Sequence, residues 1–266
     1  MAPAQPDAAP IVLVTGGARR LGRALALGFA ARGWDVAIHY RHSGAEAEQL
    51  ARDIAALGRR AALLQGDLCD EAIAAGLVGD CARQLGLPHC VINNASLFEP
   101  DTATDFVYAT LQRMMQANLA APLAIARALH AAWQARAGGA AHGARPVAIN
   151  LLDQKLFNLN PDYLSYTLSK AALQTATTVL AQALAPTLRV VGVAPGLTLR
   201  SGEQSDASFA RAHAMTPLGR SSRPEDIVAA CLYLAQADAV TGTTLLVDGG
   251  QHLIASPRDV MFLCGD

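Results

Sequence analysis

Seven short apolar runs, each followed by a longer Ala- and Leu-rich stretch, constrain most strongly what this chain can fold into. The runs cover 11–14, 35–39, 61–64, 90–92, 146–151, 189–193 and 243–247. Helical patterns lie between them at 21–32, 45–57, 70–85, 111–135, 163–184 and 225–235. Strands that alternate with helices are joined by crossovers, and crossovers deliver parallel neighbours covered on both faces. The expected fold class is α/β, a doubly wound parallel sheet of seven strands. A length of 266 residues with 52% hydrophobic content supplies enough apolar surface for one core of that size. The sequence therefore predicts a single domain over 11–266, preceded by a flexible tail at 1–10 that has neither a basic start nor an apolar core.

Two segments break the alternation. The run 137–144 is a Gly/Ala loop expected to act as a linker, and 197–215 is polar, irregular and follows Pro195-Gly196. The second lies beyond the carboxyl end of a strand, where ligands bind in such sheets, and is a candidate substrate lid. Net charge is −1 without a run of Lys or Arg, which argues against nucleic acid or an anionic membrane as a partner and leaves a small molecule. No stretch of about 20 apolar residues suggests a membrane span. The cysteines Cys69, Cys81, Cys90, Cys231 and Cys264 are odd in number and scattered, as expected of reduced thiols in a cytoplasmic protein. The histidines show no ligand spacing, so no metal site is expected.

Directly after the first strand comes Thr15-Gly16-Gly17-Ala18-Arg19-Arg20-Leu21-Gly22, opening a helix. Glycines let the backbone approach a pyrophosphate, and the N–H groups and dipole of the helix start favour its charge. A tight strand-to-helix connection is the plain alternative. At the end of the second strand a nicotinamide dinucleotide site normally carries an acid for the ribose hydroxyls. Here stand His39, Tyr40, Arg41, His42 and Ser43, a set with cations and no carboxylate that favours NADP over NAD.

Asp153, Tyr166 and Lys170 form a third constellation. A Tyr and a Lys four apart share one helix face, so the ammonium is expected beside the phenol, lowering its pKa from about 10. Taken alone, the pair reads equally as an ordinary half-buried helix face.

These motifs, with Gly66-Asp67-Leu68, Asn93-Asn94-Ala95-Ser96, Asn118, Pro195-Gly196 and Val247-Asp248-Gly249-Gly250 in that order, resemble the short-chain dehydrogenase/reductase family over nearly the whole chain. The resemblance implies that Gly16, Arg19, Arg20 and Leu21 meet the cofactor phosphates and that Asp67, next to Leu68, reaches the adenine. It further implies that Asn94, Ala95 and Ser96 approach the cofactor, that Asn118 holds a water linking Lys170 to solvent, and that Pro195, Gly196 and Leu197 bracket the carboxamide. Three departures stand out: Arg20 where a glycine is usual, Asp153 where a serine is usual, and Val191 where many members have Asn. The first two, with His39-Tyr40-x-x-Ser43 and Phe98 two residues after Ser96, resemble the pteridine reductase branch.

That branch implies NADPH-dependent reduction of a dihydropterin or dihydrofolate to the tetrahydro form. Asp153, Tyr166, Lys170 and Asn118 would be catalytic, while Arg20, Ser96, Phe98, Asp153 and Tyr166 would meet the pterin. Phe98 reads equally as core filler. A generic carbonyl reductase or alcohol dehydrogenase in which Asp153 is tolerated is the alternative, and a non-catalytic NADP sensor a further one. A homotetramer is expected through the two long helices, where Ala121, Ala124 and Ala128 and Ala171, Ala172 and Ala176 would permit close helix packing, although these alanines read equally as ordinary core. In the C-terminal tail, Phe262 is expected at a subunit interface with Arg258 near the partner's site, the alternative being a tail packed on its own subunit.

Overall fold

The structure, a computed structural model, describes residues 9–136, 145–200 and 205–263. All seven apolar runs form strands: β1 (Ile11–Val14), β2 (Asp35–Tyr40), β3 (Ala61–Gln65), β4 (Cys90–Asn93), β5 (Val147–Leu151), β6 (Arg189–Pro195) and β7 (Thr244–Val247). The helices are α1 (Arg20–Ala30), α2 (Gly44–Ala56), α3 (Glu71–Gln84), α4 (Tyr108–Met115), α5 (Ala121–Arg136), α6 (Leu164–Ala183), α7 (Asp206–Ala214), α8 (Pro224–Gln236) and a short α9 (Val260–Leu263). The strands pair in parallel in the order β3-β2-β1-β4-β5-β6-β7. The order runs outward one way from β1 and the other way from β4, which opens a crevice at the carboxyl ends of these two strands.

Successive side chains of a strand point to opposite faces, and β1 shows the consequence. Val12 and Val14 join a buried cluster with Leu25 and Phe29 of α1, Leu50 and Ile54 of α2, and Ile227 and Leu234 of α8. Ile11 and Leu13 join a second one with Leu77 of α3 and Ile125 and Leu129 of α5. Each fully buried Leu, Ile or Phe contributes about 1.5–3 kcal/mol, so these two layers hold the sheet and with it the crevice. Cys81, Cys90 and Cys231 are free thiols inside the protein, and burial pushes Cys81 and Cys231 up to about 12.

Two expectations need correction. The continuous helix expected over 111–135 is α4 and α5 separated by a π-helical turn, Gln116–Ala120. Pro122 has no N–H and cannot donate to the carbonyl four residues back, that of Asn118, so the regular ladder is broken there. The segment 197–215 is not irregular throughout, because it contains α7, whose first turn is capped by Ser205 accepting from the Ser208 N–H. The linker at 137–144, residues 1–8 of the expected tail, and Cys264 lie outside the described residues. Among those described, no helix is long and apolar enough to cross a membrane.

Candidate active site

The turn between β1 and α1 is built by interlocking backbone groups. Thr15 Oγ1 accepts from the N–H groups of Asn94 and Ala95, both at 3.0 Å, and Asn94 Nδ2 donates back to the Thr15 carbonyl at 2.8 Å. Gly16 has φ +60°, and a Cβ on Gly22 would stand 2.1 Å from the Gly16 carbonyl oxygen, so helix and turn touch at a glycine. Arg20 adopts φ 50°, a left-handed conformation that is costly for a side chain with a Cβ. Its Nη2 donates to the Arg200 carbonyl at 2.5 Å, spanning from the turn to the segment after β6. No side chain caps the start of α1 and its first turn holds no acid, which leaves N–H groups and positive dipole open to an anion. This fits a pyrophosphate, and the adjoining groove of about 380 Å³ is lined by Gly16, Arg19, Leu21, Asp67, Leu68 and Ala95, among others.

At the end of β2 the expected residues divide. His39 is buried rather than presented to a ribose, with Nδ1 accepting from the Gly16 N–H at 3.2 Å and Nε2 donating to the Gly66 carbonyl at 3.1 Å. Both ring nitrogens are occupied and burial lowers its pKa, so it braces the turn as a neutral imidazole. Tyr40 packs partly on the core. Arg41 and His42 are exposed and Ser43 is half-buried. Arg41 is paired with Asp67 at 3.1 Å, and Arg19 with Glu46 at 3.7 Å. The Cys69 N–H, followed by Arg41, holds the Asp67 carboxyl below its usual range.

Asp153, Tyr166 and Lys170 come together. Asp153 is the extended residue before a 3-10 turn (Gln154–Phe157), so its Oδ1 accepts from the Lys155 N–H at 2.9 Å while Oδ2 accepts from the Tyr166 hydroxyl at 2.8 Å. Burial raises the Asp153 pKa and pushes that of Tyr166 well above 10, helped by the carboxylate beside it. The expectation that Lys170 lowers the phenol's pKa is therefore corrected. Its Nζ donates to the Leu151 carbonyl at 2.7 Å and stands 5.8 Å from the centre of the Tyr166 ring, and burial brings its pKa down to about 8. Asn118 lies in the π-helical turn. Its Oδ1 accepts from the Leu97 N–H at 2.8 Å and Ser96 Oγ at 3.2 Å, and its Nδ2 donates to the Leu97 carbonyl at 2.9 Å and Ser169 Oγ at 3.0 Å. With that amide's capacity taken up, it clamps the chain after β4.

A cavity of about 530 Å³ opens beside this group, lined by Arg20, Ser96, Phe98, Asp153, Tyr166 and the Pro195-Gly196-Leu197 turn, among others. Phe98 is 43% exposed and is no core filler; it stacks on Tyr163 at 4.3 Å between ring centres and meets Tyr166 edge-on at 4.7 Å. Lys155, Gln251, Asp259 and Val260 are among the lining residues that the sequence does not point to. Lys155 lies two positions after Asp153, a proximity that could have flagged it, and Gln251 Oε1 accepts from the Leu197 N–H at 3.1 Å. Asp259 sits next to Arg258, the tail residue expected near a partner's site. Within the single chain Arg258 donates from Nε to both Asp162 oxygens at 2.9 Å, and Phe262 stacks on Tyr163 at 6.0 Å.

The model of the family described as enoyl-(acyl carrier protein) reductase matches residues 16–252, and the chain belongs to the short-chain dehydrogenase/reductase family. It is an NAD(P)-dependent oxidoreductase of that family. At 33% identity over 249 residues it is similar to an L-rhamnose 1-dehydrogenase (NAD(P)(+)) from Sphingomonas sp. (strain SKA58), a match covering 91% of this chain and 96% of that protein. Among solved structures it resembles the FolM alternative dihydrofolate reductase 1 from Brucella canis complexed with NADP, with a TM-score of 0.85, 36% identity, and coverage of 95% of this chain and 98% of that one. The corresponding FolM protein from Brucella suis, also in complex with NADP, has a TM-score of 0.83 at 35% identity, covering 94% and 98%.

Proposed function

We propose that this oxidoreductase uses NADPH to reduce the C=N bond of a pterin, taking a dihydropterin or dihydrofolate to the tetrahydro form. The reading is carried by the Asp153 carboxyl hydrogen-bonded to the Tyr166 hydroxyl in a cavity that the Phe98 ring also lines. A serine at that position donates to a substrate carbonyl, whereas an ionised carboxylate only accepts. Acceptance suits a heterocycle that presents N–H and amino groups and has a ring nitrogen to be protonated. A flat aromatic wall suits a flat bicyclic ring.

When bound, NADPH supplies the hydride. The start of α1 and Arg20 would hold its pyrophosphate, and Arg19, Arg41 and His42 would favour the 2′-phosphate. Pro195, Gly196 and Leu197 would bracket the carboxamide, and Lys170 would donate to the nicotinamide ribose. Burial raises the pKa of both Asp153 and Tyr166, so together they retain a proton near neutral pH at the substrate's edge. Acid-base help of this kind typically contributes about 10²–10⁴-fold. The Brucella relatives, named as dihydrofolate reductases complexed with NADP, support substrate and cofactor alike. Cytoplasmic residence agrees with the free thiols, and the working assembly is read as a homotetramer.

The L-rhamnose dehydrogenase relative favours a second reading, oxidation or reduction at a sugar or carbonyl carbon. Hydride transfer against a panel of dihydropterins, dihydrofolate, ketones and L-rhamnose separates the two. The expected result is turnover of the dihydropterins, reduced at least tenfold in Asp153→Ser, about 1.4 kcal/mol of transition-state stabilisation, with NADPH affinity nearly unchanged. Undiminished pterin turnover in that variant removes Asp153 from the mechanism, and turnover of carbonyl or sugar substrates alone selects the second reading.

A further inference from the structure

The cavity contains a buried cation that the proposed reaction does not use. Lys155 is 3% exposed, and its Nζ donates to the Asp162 carbonyl, stands 3.6 Å from the Asp259 carboxylate and lies 5.4 Å from the centre of the Tyr163 ring. Its backbone N–H donates to Asp153 Oδ1. One residue thus holds, from a single turn, both the acid beside Tyr166 and the acid that the C-terminal segment brings to the cavity.

That segment meets the stretch between Asp153 and Tyr166 at further points. Asn158 Nδ2 donates to the Ile254 carbonyl, Arg258 pairs with Asp162, and the Asp259 N–H donates to Asp162 Oδ2 at 2.7 Å. Phe262 stacks on Tyr163, whose ring also stacks on Phe98. Arg258 in turn lies over the Phe262 ring at 4.7 Å. The acids Asp153, Asp162 and Asp259 are therefore interleaved with the cations Lys155, Lys170 and Arg258.

Removing an ammonium from water costs several kcal/mol, and a buried ion pair returns little net stability compared with an apolar residue of similar size. What such a pair can supply is registry, because any other alignment leaves a charge unpaired. We propose that Lys155 is a positioning residue that docks residues 256–263 of the same chain as a wall of the cavity, a role that rests on this cavity being the substrate site. Asp259 and Val260 belong to that wall, and releasing the segment opens the cavity on that side.

Hydrogen exchange on the full chain with NADPH and no substrate provides the test. In Lys155→Met, amides of 256–263 should exchange at least tenfold faster while those of β5 and α6 keep their protection, and Lys155→Arg should restore most of the protection. The KM for a dihydropterin should rise at least fivefold in the Met variant, with a smaller change in kcat. Should Lys155→Met fail to fold, Asp259→Asn removes the other charge at a side chain 18% exposed and must accelerate the same amides. Unchanged protection of 256–263 in whichever of these two variants folds overturns the proposal. Because exchange is read without substrate, an enzyme inactive on pterins would defeat the proposed reaction and leave this result intact.

Discussion

Lys170 gives its ammonium to the Leu151 carbonyl inside the protein, and the loss of water around it brings its pKa to about 8. The charge is therefore present below pH 8 and lost above it. If this ammonium meets the cofactor's ribose, NADPH affinity should fall as pH rises through about 8 and level off as Lys170 becomes neutral. Fluorescence titration of NADPH across that range measures the fall, and Lys170→Met should bind weakly with a flat profile; a wild-type affinity independent of pH between 7 and 9 would contradict the assignment. The Tyr-x-x-x-Lys spacing made the pair legible in the sequence, but not which neighbour each side chain chooses. Asp153, thirteen positions before Tyr166, captures the phenol, and only a fold that brings the end of β5 against α6 reveals that preference.

Elements that carry their own period were the easiest to read. β1 to β7 were visible because apolar runs in a parallel sheet are buried on both faces, and their predicted ends differ from the observed ones by a residue or two. The π-turn around Asn118 was not visible, since side-chain periodicity hardly changes over five residues, although Pro122 was a usable signal. Lys155 and Asp259 were missed for another reason: they lie 104 residues apart in sequence and meet only through the packing of the C-terminal segment. Where two elements end side by side, sequence gave charge without partners. Arg41, just after β2, stands in the sequence as a cation for the 2′-phosphate, yet it is shared with Asp67 from the segment after β3. Both groups are substantially exposed, so their pairing contributes less than about 1 kcal/mol and a phosphate can compete for the guanidinium. Arg41→Asp should accordingly weaken NADPH far more than NADH, measured as separate dissociation constants; equal losses would dismiss Arg41 as the discriminating residue.

At the scale of the whole molecule, the helix faces expected to pair subunits are only partly available. Ala121 is buried in the chain's own core, and Ala124 and Ala128 lean on it, while Leu168 and Val179 of α6 are 48% and 54% exposed. Exposed aliphatics along a long helix are what a subunit interface covers, and light scattering at micromolar concentration should give a tetramer. A monomer would exclude assembly through these helices. Arg20 bears on the molecule in a different way. Its left-handed backbone costs about 1–2 kcal/mol relative to a residue without a Cβ, against roughly 0.5–1 kcal/mol for the extra freedom a glycine has when unfolded. Arg20→Gly should therefore melt up to about 3 °C higher by calorimetry while holding NADPH less tightly. Heat resistance and cofactor grip are opposed at this one residue, and a search for hardier variants of the protein would drift towards glycine there and discard the guanidinium.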